Sequence, residues 1–559
     1  MYMSFRFIAI FIVLMFVINS CDSPPLPKPK PIEIVKIPEK MDPTVSKQIL
    51  GLIDQALQGA GKVDDSIILQ QPQTVAAWYS ESDGDRLWSK DKEWLPRADS
   101  MAEMIKRSEL YGLFPYDYHG KEINSIFNKL KDSTAMMDAA LWARGEIMLS
   151  DAFSTMARHL KLGRIPTDSI TLRKDTTIAS DFYMKLRDSL IEHNNPRELL
   201  EALEPVNDRY RALRASIPAF LDSLDRKEYT YIDFPRKDTI LFVKQLQNRL
   251  FEGQYISFID RAPDSAELAL AVKKVQSEKG LTVDGKAGPA LVGALNNTGM
   301  ERLRRIAINL DRLKQLPDSL PISYIWVNIP SFKMQVWDSG MVKLESKVIV
   351  GGPKTRTPVF TSSLTNMITY PQWTVPYSII FKEMLPKIQK DIKYLDNQNL
   401  MVVDKNDSVI DPATIDWSQL SKKKFPYLIR QRQGDDNSLG VMKFNFSNKY
   451  DVYMHDTNAR GMFSRSNRAL SHGCVRVQKW DSLAHYLIIK NPKPLPEDSL
   501  RVWLGRQEKH YIYLKQKVPV YLRYYTCEVK EDGKIQFFED IYGEDKALRY
   551  RYLEKKIKT

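Results

Sequence analysis

KYDVYMHD, residues 449 to 456, and SHGCVRV, residues 471 to 477, decide how this chain is read, and fifteen residues separate His455 in the first from Ser471 in the second. The first stretch alternates apolar and polar residues with period two, as a half-buried strand does, and brings His455 near the strand end. The second sets one of the chain's three cysteines directly behind His-Gly and ahead of a short β-branched run. A structural cysteine packs equally well beside any apolar neighbour. A nucleophilic one needs a base within reach and backbone donors around the attacked carbonyl. Cys474 follows His455 by nineteen positions, Asp456 is next to the histidine, and Gly473 permits a tight backbone approach. The amides of Gly473 and Cys474 can therefore face a developing oxyanion. Only seven histidines occur in 559 residues, and two of them precede this thiol within nineteen positions.

Working outward, SYIWVNIPSFKMQVWDSGMVKLESKVIVGG, residues 323 to 352, alternates over several short runs, with Asp338-Ser339-Gly340 as a turn. This predicts a mainly β domain around the site. Between Pro371 and Lys443 the alternation is lost and FKEMLPKIQKDIKYL reads as helix and loop. Residues 371–443 are thus an insertion into the β domain, and insertions of this length beside catalytic sites act as lids. Upstream, residues 43–236 carry apolar residues at three- and four-residue spacing in runs that end at Gly or Pro, which predicts a helical scaffold. MERLRRIAINLDRLKQLP supplies a linking helix within 299–320.

Residues 238–298 combine a helix, GLTVDG, Gly288-Pro289 and a further helix. That order resembles the small three-helix peptidoglycan-binding module. The histidine, its spacer and Ser-His-Gly-Cys resemble the motif of the L,D-transpeptidases, cysteine enzymes that cross-link peptidoglycan stem peptides. VWDSGMVKLESKVIVGGPKTRTPVF, YPQWTVPYSI, GVMKFNFSNKYDVYMHDT and RALSHGCVRV extend the likeness to the large periplasmic subgroup with a scaffold, a binding module and a capping insertion. The resemblance implies a multidomain α+β chain. Its catalytic domain spans residues 321–510, and a C-terminal β extension covers 511–559. It further implies Cys474 as nucleophile, His455 as general base, and the Asp456 carbonyl holding the imidazole tautomer. His472 and Ser471 shape the site, Gly473 and Cys474 form the oxyanion hole, and Arg476 orients the loop or a substrate carboxylate. Arg476 stands where many relatives carry Asn.

The N-terminus, residues 1–21, is laid out as an export signal: Arg6, an apolar run from Phe7 to Ile18, then Asn19, Ser20 and Cys21. That run is shorter than the roughly 20 residues of a spanning helix. Ile-Asn-Ser-Cys resembles a bacterial lipoprotein signal, which implies lipidation at Cys21 and a periplasmic, membrane-anchored protein. The Pro- and Lys-rich residues 22–42 read as an extended spacer. A net charge of +13 favours an anionic partner, but no block of Lys and Arg interleaved with aromatics marks nucleic-acid binding. His455, Asp456, His472 and Cys474 are acceptable zinc-ligand types, yet one Cys with scattered His is a weak metal pattern, so neither metal nor cofactor is expected. The expected partners are peptidoglycan stem peptides and glycan. The competing readings are a non-catalytic peptidoglycan-binding lipoprotein and an L,D-carboxypeptidase using the same site.

Overall fold

The structure, a computed structural model, describes residues 34–550 apart from 36, 168–169, 235–237, 493–494 and 497. The export signal with Cys21 and most of the spacer lie outside the described residues. The spacer's last residues are folded: Val35 is buried, its N–H donates to the Met137 carbonyl, and a helix begins at Met41. The segment read as one helical scaffold is divided between two compact units.

The first unit runs to Glu103 and also takes in Tyr118–Thr155 and Tyr183–Pro196. It is built on helices α1 (Met41–Gln58), α2 (Pro72–Ser80), α3 (Pro96–Lys106), α4 (Gly120–Lys129), α5 (Ala139–Leu162) and α6 (Phe182–His193). Met41, Val45, Ile49, Ile53 and Ala56 recur at three- and four-residue intervals and bury one face of α1. Inside the unit the fully buried Glu146 accepts hydrogen bonds from the Leu87 and Trp88 amides and the Ser89 and Tyr79 hydroxyls. Such saturation is what makes a buried carboxylate tolerable.

The second unit contains the rest, including everything from Arg197 onward. After α7 (Asp208–Asp222) come α8 (Thr239–Glu252), α9 (Ser265–Glu278) and α10 (Pro289–Asn296), which share a core of Phe242, Leu246, Leu250, Val272, Val275, Leu291, Val292 and Leu295. Local chemistry sets their ends. Asp238 caps α8, Asp264 and Glu267 form a capping box on α9, and Pro289 opens α10. Helix α11 (Gly299–Leu313) leads into the β domain.

Nine strands build that domain: β1 (Ser323–Asn328), β2 (Lys333–Asp338), β3 (Met341–Gly351), β4 (Phe360–Thr369), β5 (Met442–Phe446), β6 (Met454–His455), β7 (Ala469–Ser471), β8 (Val475–Val477) and β9 (Tyr511–Arg523). Their order is β7-β3-β8-β6-β5-β4-β9-β1-β2, and β2 also pairs with β3. Eight of the nine strands thus form a closed ring, with β7 attached outside it. Alternate residues such as Ile325, Met334, Val350, Leu364, Phe444, Met454, Val475 and Val520 fill the interior, joined by the helix Trp480–Ile489 through Leu483 and Leu487.

Strand β9 lies between β4 and β1, so the boundary expected at residue 511 falls inside the sheet and 511–523 is no extension. The insertion occupies 370–441, between β4 and β5, which places Lys443 on a ring strand. It has its own four-stranded sheet and a separate core including Ile380, Leu385, Leu400, Val402, Trp417 and Ile429.

Candidate active site

Strand register assembles the site. β6 runs parallel to β8, pairing Met454 with Val475 and His455 with Arg476. On its other side β6 is antiparallel to β5, pairing Phe444 with Met454 and Lys443 with His455. Side chains alternate across a sheet, so with Phe444, Met454 and Val475 inside, the row Lys443, His455, Arg476 faces outward. Tyr453 and Cys474, two residues before His455 and Arg476 and just ahead of β6 and β8, share that outer face. His455 and Cys474 are diagonal neighbours on adjacent strands, a separation that long side chains span.

The Cys474 thiol donates to the Asp451 carbonyl at 3.9 Å, and the Tyr453 hydroxyl and backbone N–H lie near enough to favour the thiolate. The Trp373 indole, from the insertion, lies near the Tyr453 hydroxyl and favours its ionised form. The Tyr453 ring stands edge-on to the His455 imidazole at 5.6 Å, and Lys443 Nζ sits 3.9 Å from the Tyr453 ring centroid. His455 is only 4% exposed, and its Nδ1 is buried with no partner of good geometry, although the carbonyls of Asp456 and Leu439 face the ring. An unpaired buried nitrogen costs about 1–3 kcal/mol, and catalytic hydrogen bonds commonly tighten only when substrate binds. Asp456 turns its carboxylate away from the imidazole, accepting from the Val441 N–H at 3.1 Å and pairing with Arg460 at 2.8 Å. Only its backbone is placed to serve His455.

The Ser-His-Gly-Cys loop is fastened from several sides. Ser471 Oγ donates to the Cys474 carbonyl at 2.6 Å and accepts from the Gly473 N–H at 3.1 Å. Thr357 donates to the Gly473 carbonyl at 2.7 Å, Thr355 donates to the Ser471 carbonyl at 2.9 Å, and the Tyr542 hydroxyl ties the Thr357 N–H to the Gly351 carbonyl. Gly473 has φ +124°, a left-handed conformation that disfavours any side chain. Of the two amides expected at the oxyanion, that of Gly473 is therefore engaged by Ser471. The Cys474 N–H has no acceptor among the described residues. His472 points to the surface, where Nε2 lies 2.7 Å from Glu383 of the insertion. Arg476 reaches Thr457 Oγ1 at 3.4 Å. Because His472 and Asp456 are engaged apart from the thiol, the four potential zinc ligands do not converge, and the described residues hold no cluster of three or more such side chains.

Burial raises the Cys474 thiol above its ordinary value despite the Tyr453 donors and the charges of Lys443 and Arg476. The side chain keeps some solvent contact, which moderates the effect. Burial, reinforced by Arg476 and Lys443, lowers His455 to about 3 against the pull of the Asp456 and Leu439 carbonyls. Lys443 is itself lowered by burial. The resting pair is therefore neutral thiol and neutral imidazole, with two cations and a phenol poised around the sulfur for the moment charge appears. A pH prediction follows. The rate of Cys474 alkylation by iodoacetamide in the free enzyme should keep climbing, about tenfold per unit, to beyond about pH 9. Because His455 stays neutral down to about 3, no inflection near the ordinary histidine range is expected. A plateau reached by about pH 7 would show a preformed thiolate–imidazolium pair instead. Cys527, 3% exposed in a separate core, does not contribute to the signal.

Sequence reasoning missed Lys443, Tyr453, Trp373, Glu383, Thr357 and Tyr542. Lys443 and Tyr453 had a signal: both alternate out of phase with the apolar residues of their strands and so share the face of His455. The others reach the site from distant segments.

Parts of the chain are similar to known proteins. Residues 322–497 match the family model of YkuD, the L,D-transpeptidase catalytic domain, and residues 73–217 match that of a scaffold domain. Residues 322–497 are thus similar to the L,D-transpeptidase catalytic domain. It is 40% identical over 245 residues to a Haemophilus influenzae protein named "Putative L,D-transpeptidase", an alignment covering 44% of this chain. The match spans about half, 49%, of that relative's length. Similar solved structures include an L,D-transpeptidase from Stackebrandtia nassauensis, at 14% identity over 53% of this chain and 97% of that one, TM-score 0.17. Another is a cysteine-to-serine mutant of the Enterococcus faecium L,D-transpeptidase, at 12% identity over 37% and 52%, TM-score 0.15.

Proposed function

We propose that this protein is an L,D-transpeptidase that joins peptidoglycan stem peptides through a thioester on Cys474. The observation that carries the reading is the strand register that sets Cys474 and Tyr453 on the same outer face as the adjoining row of Lys443, His455 and Arg476. As the sulfur attacks the donor carbonyl, His455 takes its proton, and the Cys474 N–H serves the oxyanion. Collapse breaks the peptide bond to the terminal D-Ala of a tetrapeptide donor, whose amine leaves with the proton from His455. An amine of a second stem then attacks the thioester and gives its proton to His455, and the amide product departs as the thiol is restored. Lys443, Arg476 and the Tyr453 hydroxyl stabilise the sulfur whenever it carries charge.

The insertion caps the acyl-enzyme. Two of its residues approach the site: Trp373 through Tyr453, and Glu383 through His472 at 2.7 Å. Water excluded from the thioester cannot compete with the acceptor amine. Replacing Trp373 and Glu383 together by alanine should raise hydrolysis relative to cross-linking several-fold, measured as the ratio of trimmed to cross-linked muropeptides. An unchanged ratio would reduce the insertion to a structural appendage.

Helices α8 to α10 are assigned to peptidoglycan binding, and Cys21 to lipid attachment outside the cytoplasm. The sequence order of the helices and the Ile-Asn-Ser-Cys stretch support these readings. Among the described residues no helix is long and apolar enough to cross a membrane. Cys21→Ser should move the protein from the membrane to the soluble fraction; retention at the membrane would exclude lipidation as the anchor.

A further inference from the structure

A cavity of about 1200 Å³ lies apart from the thiol. It lies on the outer face of β1 and β2, and around the ring β1 is four strands from β6 in either direction. Typical small-ligand pockets occupy about 300–1,000 Å³, so this one has room for a chain of several rings. Its wall includes Trp326 and Trp337, with the Arg209 guanidinium of α7 held 4.0 Å and 5.1 Å from the two indole centroids. Arg209 makes no ion pair with a carboxylate among the described residues, and its Nη2 is buried without an acceptor. Trp326, 1% exposed, likewise has no acceptor for Nε1.

Around these donors the wall carries six carboxylate residues against Arg209, Lys333 and Lys530, and Lys333 pairs with Glu345 at 3.1 Å. Glu345 accepts from Gln335 at 3.0 Å, Gln335 accepts from the Trp337 indole at 3.2 Å, and Glu528 accepts from Asn328 at 3.0 Å. Carboxylates in this number oppose a phosphate or polyanion, because like charges at short range repel. Unsatisfied N–H groups call for neutral acceptors such as amide carbonyls. Carboxylates with free lone pairs accept hydroxyls, and aromatic walls suit the apolar faces of rings.

We propose that this cavity binds an oligosaccharide of N-acylated amino sugars, holding the glycan while the opposite side of the same domain works on the peptide. The proposal deepens the wall-directed reading above and rests on it for the identity of the natural glycan. The acetamido carbonyl would meet Arg209 and Trp326, and ring hydroxyls would meet Glu345 and Glu528.

The test is calorimetric titration of the full chain with tetra-N-acetylchitotetraose, beside Trp337→Ala and Arg209→Gln variants whose thermal unfolding matches the parent. Saturable binding that weakens at least about tenfold in both variants supports the site. Absence of binding overturns it. Equal binding in parent and variants also overturns it, since the sugar is then held elsewhere, as on α8 to α10. Inorganic phosphate competing with the sugar would likewise overturn it, replacing the sugar site with an anion site. Carbapenem acylation of the parent, measured on the same preparation, reports separately on the transpeptidase reading and leaves the sugar result standing whichever way it falls.

Discussion

Cys474→Ala is expected to form no covalent adduct with a carbapenem, an acyl-donor mimic for this family, and to make no cross-links above the uncatalysed background. In the proposed mechanism the sulfur is the attacking atom, and nothing else in the outer-face cluster replaces it. Tyr453 has its phenol raised far above neutrality by burial and the neighbouring sulfur, and Lys443, lowered by burial, has its Nζ over the Tyr453 ring. The other cysteine among the described residues, Cys527, is buried in a different core with its thiol pushed up by burial. Intact-mass spectrometry should show one adduct on the parent protein and none on the variant. One adduct on both would move the nucleophile elsewhere.

His455→Ala should slow acylation by about 10²- to 10⁴-fold at neutral pH. The size of the defect should itself depend on pH. Without the base, the reaction relies on spontaneous ionisation of a thiol whose proton is held more tightly than usual. The thiolate fraction then grows about tenfold per unit below the thiol's own value, so the gap to the parent should narrow in alkali. A defect of constant size from pH 6 to 10 would mean that His455 positions the loop and does not move the proton.

What the sequence made legible here was local, and what it hid was register and long-range contact. His455 and Cys474 stand out because a strand ending in histidine and a Ser-His-Gly-Cys loop are contiguous patterns with a fixed spacer. The turn at Asp338-Ser339-Gly340 and the ends of α8 to α10 were readable for the same reason, since caps and turns are set by neighbouring residues. Residues 511–523 read as an appendage because their partners, β4 and β1, lie some 150 or more positions upstream, and alternation says nothing about which strand will pair with which. The assignment of the Gly473 amide to the oxyanion overlooked Ser471, whose hydroxyl curls back within its own loop, a local competition typical of serine. Trp373 and Glu383 sit in an insertion with its own core, and only the folded chain brings them to Tyr453 and His472.

The central claim, that Cys474 carries the donor stem as a thioester after D-Ala has left, is tested most directly by peptide mapping of protein quenched in acid during turnover of a tetrapeptide-bearing muropeptide. The account predicts a tripeptide-bearing adduct confined to the peptide containing Cys474, with free D-Ala released in equal amount and the adduct discharged when an acceptor stem is added. Cross-links that accumulate with no adduct on Cys474 at any quench time, together with undiminished cross-linking by Cys474→Ala, would contradict it.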